Sequence, residues 1–439
     1  MIELISNCVK SKIQSESNKR LLSNFFSLSI LQVSNYLLPL ISFPYLIRVL
    51  GVEKYGLLAF ANAFIAYFTV LVDYGFNLSA TREISIYREH EQKVSEIFSS
   101  VMLIKLGLLV LSFFILSFIV FFFNKFKQNW LIYYLTFGVV IGQGLFPIWF
   151  FQGMEKMKYV TFLNLLAKLI FTVLIFIFVK KQSDYYLVPI FNSLGFIAAG
   201  ICSISIVFSS FNVKFLTPGR REILYQLNKG WHIFTSMLSI SLYTTSRIFA
   251  VGLFTNNTIT GYYAVAEKIM SIFQFFPIIS LLQSTYPRLA NLYNQNPKKA
   301  FYLTNRLQLI TTLFYLVLCI MVFAFADWVI LLISNKIHKE VVITLRILTV
   351  AVFFINANAF KAQFLLVSGN DNIHAKIHFV LGSLGLVLIS LMTYLWSYKG
   401  AALGVVFVEI AVFIYTYVVI NRLKKEKIFI SSFDKRVNL

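Results

Sequence analysis

Stretches of about twenty apolar residues recur along almost the whole chain, and nothing else in the sequence limits the fold so strongly. A run of about 20 apolar residues is what a helix needs to cross the roughly 30 Å hydrocarbon core of a bilayer. Twelve such runs can be placed: 24–47, 57–78, 98–123, 130–151, 161–180, 185–208, 230–253, 262–283, 302–326, 341–364, 376–397 and 401–420. Backbone groups in lipid have no water to bond, so each run must close its own hydrogen bonds as a helix. The longest connections, 209–229 and 284–301, leave no room for a soluble domain. The sequence therefore predicts an all-α polytopic membrane protein with about 12 transmembrane helices.

Composition agrees. The chain is 58% hydrophobic and only 13% charged, against about 25% charged in soluble domains. So little charge cannot cover a water-facing surface, which excludes a soluble enzyme, a disordered chain and a nucleic-acid-binding module. The net charge of +21 has to be read by position instead. Starting with the N-terminus inside, the cytoplasmic segments carry roughly 23 Lys and Arg and the external ones roughly 9. This bias puts both termini in the cytoplasm. Residues 1–22 then form a basic cytoplasmic arm, and the long apolar run that follows has no cleavage site and is not a signal peptide.

Cys8, Cys202 and Cys319 lie far apart with no C-x-x-C, so neither a disulfide framework nor a zinc site is indicated. His374 and His378 have the i, i+4 spacing of metal ligands, but no third ligand accompanies them and they read as interfacial. No catalytic signature and no cofactor site is evident.

The chain also shows weak internal repetition. Tyr55-Gly56 opens the second span and Thr260-Gly261 the eighth; Arg82 and Arg288 follow those spans; Gly153 and Gly369 close the fourth and tenth. The matched residues are 205, 206 and 216 apart. A near-constant offset of half the chain suggests two six-helix pseudo-repeats of the same orientation, the arrangement of transporters that bind substrate between halves. The domains are then the arm 1–22, an N-lobe 23–208, a cytoplasmic linker 209–229, a C-lobe 230–420 and a cytoplasmic tail 421–439. Pro39 and Pro44 in span 1 predict a bent helix, and Pro147, Pro189 and Pro277 mark spans 4, 6 and 8.

Charges inside spans are costly and point to cavities or pairing. Lys105, Lys168, Arg306 and Lys361 lie near predicted cytoplasmic ends, from which they can snorkel. Asp73 is expected to pair with a local base such as Arg82. The deeper charges are Arg247, Glu267, Lys268, Arg346 and Glu409, all in the second half. Arg247 and Glu267 sit on adjacent spans and could pair, which leaves Lys268 and Arg346 unmatched unless Glu409 serves one of them. An excess of buried cations suits a cavity that receives an anion, with Arg offering a planar fork for phosphate and Lys a point charge. Tyr262 and Tyr263 could stack on sugars, though a Tyr pair at a span end also fits an interfacial belt.

Phe43-Pro44-Tyr45-Leu46-Ile47-Arg48-Val49-Leu50-Gly51, Tyr55-Gly56, Asp73-Tyr74-Gly75-Phe76 and Ala80-Thr81-Arg82-Glu83 resemble the Wzx-type O-antigen and polysaccharide flippases of the MOP superfamily. Gly261-Tyr262-Tyr263-Ala264 and Tyr286-Pro287-Arg288 look like the matching signature of the second half. The resemblance implies a V-shaped, MATE-like pair of six-helix lobes working by alternating access in the bacterial cytoplasmic membrane. It implies, as substrate, an oligosaccharide unit linked to undecaprenyl diphosphate, and polysaccharide assembly proteins as partners. It carries over Arg48, which joins Arg247, Lys268 and Arg346 as substrate-binding candidates. Glu267, Glu409 and Asp73 are the candidates for ion pairing or for H+ or Na+ coupling. Two other functions compete: a cation-coupled multidrug antiporter, disfavoured by the near absence of buried carboxylates in the first half, and a membrane polymerase or ligase, disfavoured by the lack of a large external loop.

Overall fold

The computed structural model describes the backbone of residues 2–437. It describes the side chains of 38–423 apart from 239, 240, 243, 275–277, 280, 371, 372, 374, 375 and 378. The side chains of the arm 1–22, of Pro277, His374 and His378, and of the tail beyond 423 lie outside the described residues. Among the described residues there is no strand.

The first half of the chain runs through α1 (Ile2–Asp73), α2 (Phe76–Ile86), α3 (Glu91–Phe122), α4 (Asn124–Lys127), α5 (Trp130–Leu145), α6 (Ile148–Gly153), α7 (Met157–Phe178) and α8 (Leu187–Ser210). The second half runs through α9 (Arg220–Thr244), α10 (Ser246–Phe254), α11 (Asn257–Gln295) and α12 (Pro297–Ala324). It continues through α13 (Ala326–Ser334), α14 (Lys339–Asn356), α15 (Ala359–Val367) and α16 (Asp371–Val437). Every apolar run singled out in the sequence falls on these helices. Among the described residues, eight segments are long and apolar enough to cross a membrane. Two of them, Leu38–Ile86 with 49 residues and Phe379–Leu423 with 45, exceed what one crossing needs. A straight 45-residue helix would reach about 68 Å, more than twice the hydrocarbon core. Both break locally: α1 at Gly51, with φ 74°, and α16 at Trp396 and Ser397, the latter with φ 55°.

Helix α1 runs through Pro39 and Pro44 and departs from helical dihedrals at Gly51. A left-handed φ is sterically open to glycine, whereas a helix can lose the single backbone bond that a proline removes. Pro189 lies in the first turn of α8, where its missing N–H had no partner to lose. Pro147 does divide its span. It separates α5 from α6 and holds Phe146 in extended geometry (φ −86°, ψ 105°), as the residue before a proline prefers. The tenth span breaks at the corresponding place, between α14 and α15 at Ala357 and Asn358.

The chain forms two compact units. One comprises residues 1–43 and 64–238, the other 44–63 and 239–439. They differ from the sequence-derived halves in two segments: residues 44–63 group with the second unit, and the start of α9 groups with the first. In the first unit an aromatic core, including Phe98, Trp149, Phe150 and Phe151, packs behind α2, α3 and α6.

Candidate functional site

The candidate charges of the second unit lie at three places. The first is the corner of α1 around Gly51. Gly56, just beyond the corner, meets α11 at its first turn. A Cβ there would lie 2.0 Å from the Asn257 carbonyl oxygen and 2.4 Å from the Gly261 nitrogen. On Gly261 it would lie 2.0 Å from the carbonyl oxygen of Val52. The two glycines that the internal repeat pairs in sequence therefore let two backbones touch. Asn256 starts α11 locally, its side chain accepting from the Ile259 amide at 2.9 Å, an N-cap. Phe60 stacks on Phe249 at 5.5 Å. Arg48, exposed, donates from Nε to the carbonyl of Ile333 at 3.0 Å and from Nη2 to that of Leu332. These carbonyls end α13, so a cation there also meets the negative end of the helix dipole. Arg48 acts here as a helix cap.

The second place is a buried charge cluster. Arg247 Nη2 lies 3.0 Å from Glu409 Oε1, and both side chains are about nine-tenths buried. The pairing joins α10 to α16 across 162 residues of sequence. Glu267, one helix away on α11, is within electrostatic reach of Arg247, Lys268 and Tyr55. Its Oε2 is buried with no hydrogen-bond partner. Arg247 thus meets Glu409 directly and Glu267 as an electrostatic neighbour. The four groups balance, two cations against two carboxylates. Tyr263 is fully buried, and half-buried Tyr262 packs 5.6 Å from the His338 ring.

Arg346 stands at the third place. Its Nη2 lies 2.7 Å from Asp327 Oδ2 and its Nε donates to the Phe323 carbonyl at 3.2 Å. Asp327, 19 residues earlier, had gone unnoticed as a partner; an acid at the end of the preceding span was the available signal.

Below the cluster lies a cavity of about 540 Å³ between α11, α14, α15 and α16. Glu409 contributes to its wall, as do Gln274, Tyr286, Asn356, Asn358 and Gln363. Asn356 and Asn358 flank the break between α14 and α15. Gln308 satisfies that break. Its Nε2 donates to the Asn356 carbonyl at 3.0 Å and its Oε1 accepts from the Phe360 amide at 2.9 Å. Irregular backbone at membrane depth needs such partners.

In the first unit, Asp73 pairs with Lys105 at 3.2 Å and accepts from Asn77 at 3.0 Å. This corrects two expectations. Arg82 is not the partner of Asp73, and Lys105, 1% exposed, is enclosed by protein instead of snorkelling. Both groups lie 32 residues apart on different helices, so only packing brings them together. Glu83 in the same unit accepts from Gln226 at 2.6 Å and lies 3.4 Å from Lys229. In the second unit, Lys361 sits 4.0 Å over the Tyr417 ring.

Apolar helices of spanning length, with charges enclosed in protein between them, define a multi-pass membrane protein. The chain belongs to the polysaccharide biosynthesis protein family, whose pattern it matches over residues 21–293. It is 31% identical over 391 residues to a curated protein of Escherichia coli (strain K12) described as "Putative O-antigen transporter", covering 88% of this chain and 93% of that one. It is 29% identical over 287 residues to a protein of Shigella dysenteriae with the same description, covering 64% and 70%. Among solved structures, the fold resembles an inward-facing multidrug-resistance MATE family transporter of the MOP superfamily, with TM-score 0.69 and 16% identity over 92% of this chain and 99% of that one. It also resembles the lipid II flippase MurJ in an inward closed conformation, with TM-score 0.64 and 15% identity over 92% and 87%.

Proposed function

We propose that this protein is a flippase that moves undecaprenyl-diphosphate-linked oligosaccharide units, of the O-antigen type or a related polysaccharide, across the bacterial cytoplasmic membrane by alternating access. The observation that carries this reading is the near full-length likeness to the E. coli relative. The buried charges of the second unit support it. A diphosphate entering beside Arg247 and Lys268 offers oxygens that compete with Glu409 for the guanidinium fork, and Arg–phosphate contacts are commonly bidentate. Exchange of Glu409 for phosphate would free a carboxylate, making Glu409, with Glu267 beside it, the group to take up H+ or Na+. In this reading Arg247 and Lys268 bind substrate, while Arg48 and Arg346 hold helices together.

The test is export in a deletion strain with no second flippase. The gene restores surface polysaccharide. Arg247→Gln and Lys268→Gln lower export at least tenfold, with membrane levels unchanged and lipid-linked units accumulating. Normal surface polysaccharide in the deletion strain would overturn the reading. Normal export by both variants would remove the role of the charge cluster.

A further inference from the structure

We infer that the cavity between α11, α14, α15 and α16 is a subsite for the sugar part of the transported molecule, separate from the charges that meet the diphosphate. The inference rests on the flippase reading above.

The argument begins with what the wall offers. A volume of about 540 Å³ falls within the roughly 300–1,000 Å³ of small-ligand sites. The walls are mostly apolar, from residues such as Ile278, Leu282 and Val412. The polar groups are two asparagines, two glutamines, one tyrosine and Glu409. Glu409, paired with Arg247, belongs to the charge cluster; the five other polar groups, which a sugar would meet, are uncharged. A phosphate would need cations here and a metal ion would need carboxylates. Among the described residues no group of three metal-ligating side chains occurs. Carboxamides and a phenol set in apolar walls suit a ligand that has many hydroxyls, no charge and apolar C–H faces between them. Each hydroxyl donates and accepts, and an amide oxygen and an amide nitrogen answer both.

Some of these groups await a partner. Asn358 is 6% exposed. Its Nδ2 donates to Thr416 Oγ1 at 3.3 Å, but its Oδ1 is buried with no hydrogen bond. An unmet buried acceptor carries a desolvation cost, and a ligand hydroxyl would relieve it. Among the described residues the Gln274 carboxamide and the Tyr286 hydroxyl have no hydrogen bond either. Gln274, Ile278, Leu282 and Tyr286 follow at four-residue spacing along α11 and so share one helix face. The face ends at Tyr286, which is 42% exposed and marks the open end of the cavity. By contrast Gln363 is already engaged, donating to the Leu282 carbonyl at 2.6 Å, and serves as wall.

The experiment uses the full-length protein in lipid nanodiscs with two probes: undecaprenyl diphosphate without sugar, and lipid-linked units extracted from the deletion strain. Wild type is expected to bind the extracted units at least tenfold more tightly than undecaprenyl diphosphate. Gln274→Leu and Asn358→Leu should each reduce that preference by about two- to tenfold and leave binding of undecaprenyl diphosphate unchanged. Arg247→Gln should weaken binding of both probes. Tyr286→Phe removes one hydroxyl at an exposed position and gives the same readout should Asn358→Leu fail to fold. Variants that keep the full sugar preference, or that lose both probes alike, would overturn the subsite. Wild type that binds neither probe would overturn the flippase reading itself.

Discussion

Replacing Gly56 by alanine tests the contact at the α1 corner with one added carbon. That carbon would sit 2.0 Å from the Asn257 carbonyl oxygen, 2.4 Å from the Gly261 nitrogen and 2.7 Å from the Gly261 Cα. All three are backbone atoms, so no side chain can swing aside. Even close C–H···O contacts keep carbon and oxygen about 3.3 Å apart, so α1 has to withdraw from α11 by more than ~1 Å. Overpacking of this kind costs about 1–3 kcal/mol. Withdrawal also disturbs the Phe60–Phe249 stack and the Arg48 cap on α13, which lie on the same segment. Gly107→Ala is the control. It lies in α3 with nothing within 4 Å of an added Cβ, where alanine favours a helix by about 0.5–1 kcal/mol. Thermal unfolding of the purified protein in detergent, followed by fluorescence-detected size exclusion, should show Gly56→Ala melting below wild type and Gly107→Ala at or above it. If Gly56→Ala melts with wild type, the two backbones do not touch and the account of residues 44–63 fails.

Two further outcomes follow from the interior polar contacts. Asp73→Ala strands the enclosed ammonium of Lys105 and should cost ~3 kcal/mol. Asp73→Ala combined with Lys105→Met should recover much of this, read as melting temperature and yield; equal loss in single and double variants would mean the ion pair is incidental. Gln308→Leu leaves the Asn356 carbonyl and the Phe360 amide without their partner, at about 1–3 kcal/mol for each buried group. Hydrogen exchange should then rise at the α14–α15 break, and unchanged protection there would show that the break is satisfied by other means.

The placement of the apolar helices and the break at Pro147 are local, and they were legible from apolar run length and residue type. The paired glycines Gly56 and Gly261 stood out in the sequence, and their close backbone approach is what the structure adds. The partners of the charges were not legible. Arg247 finds Glu409 across 162 residues and Lys105 finds Asp73 across 32, and neither choice leaves a mark in the chain between them. The physical reason is the solvent. In water a helix declares its buried face by the polar residues on the other. In a membrane the outward face is as apolar as the core, since lipid tails are no more polar than leucine. Exposed Phe114 and buried Leu116 stand two residues apart on α3, and the sequence gives no sign of which faces protein. The sequence by itself therefore determined that the chain spans a membrane, where the helices lie along it, and which family motifs it bears. Tertiary structure decided how each helix is turned, and with it which charges meet, where the amides gather, and that residues 44–63 join the second unit.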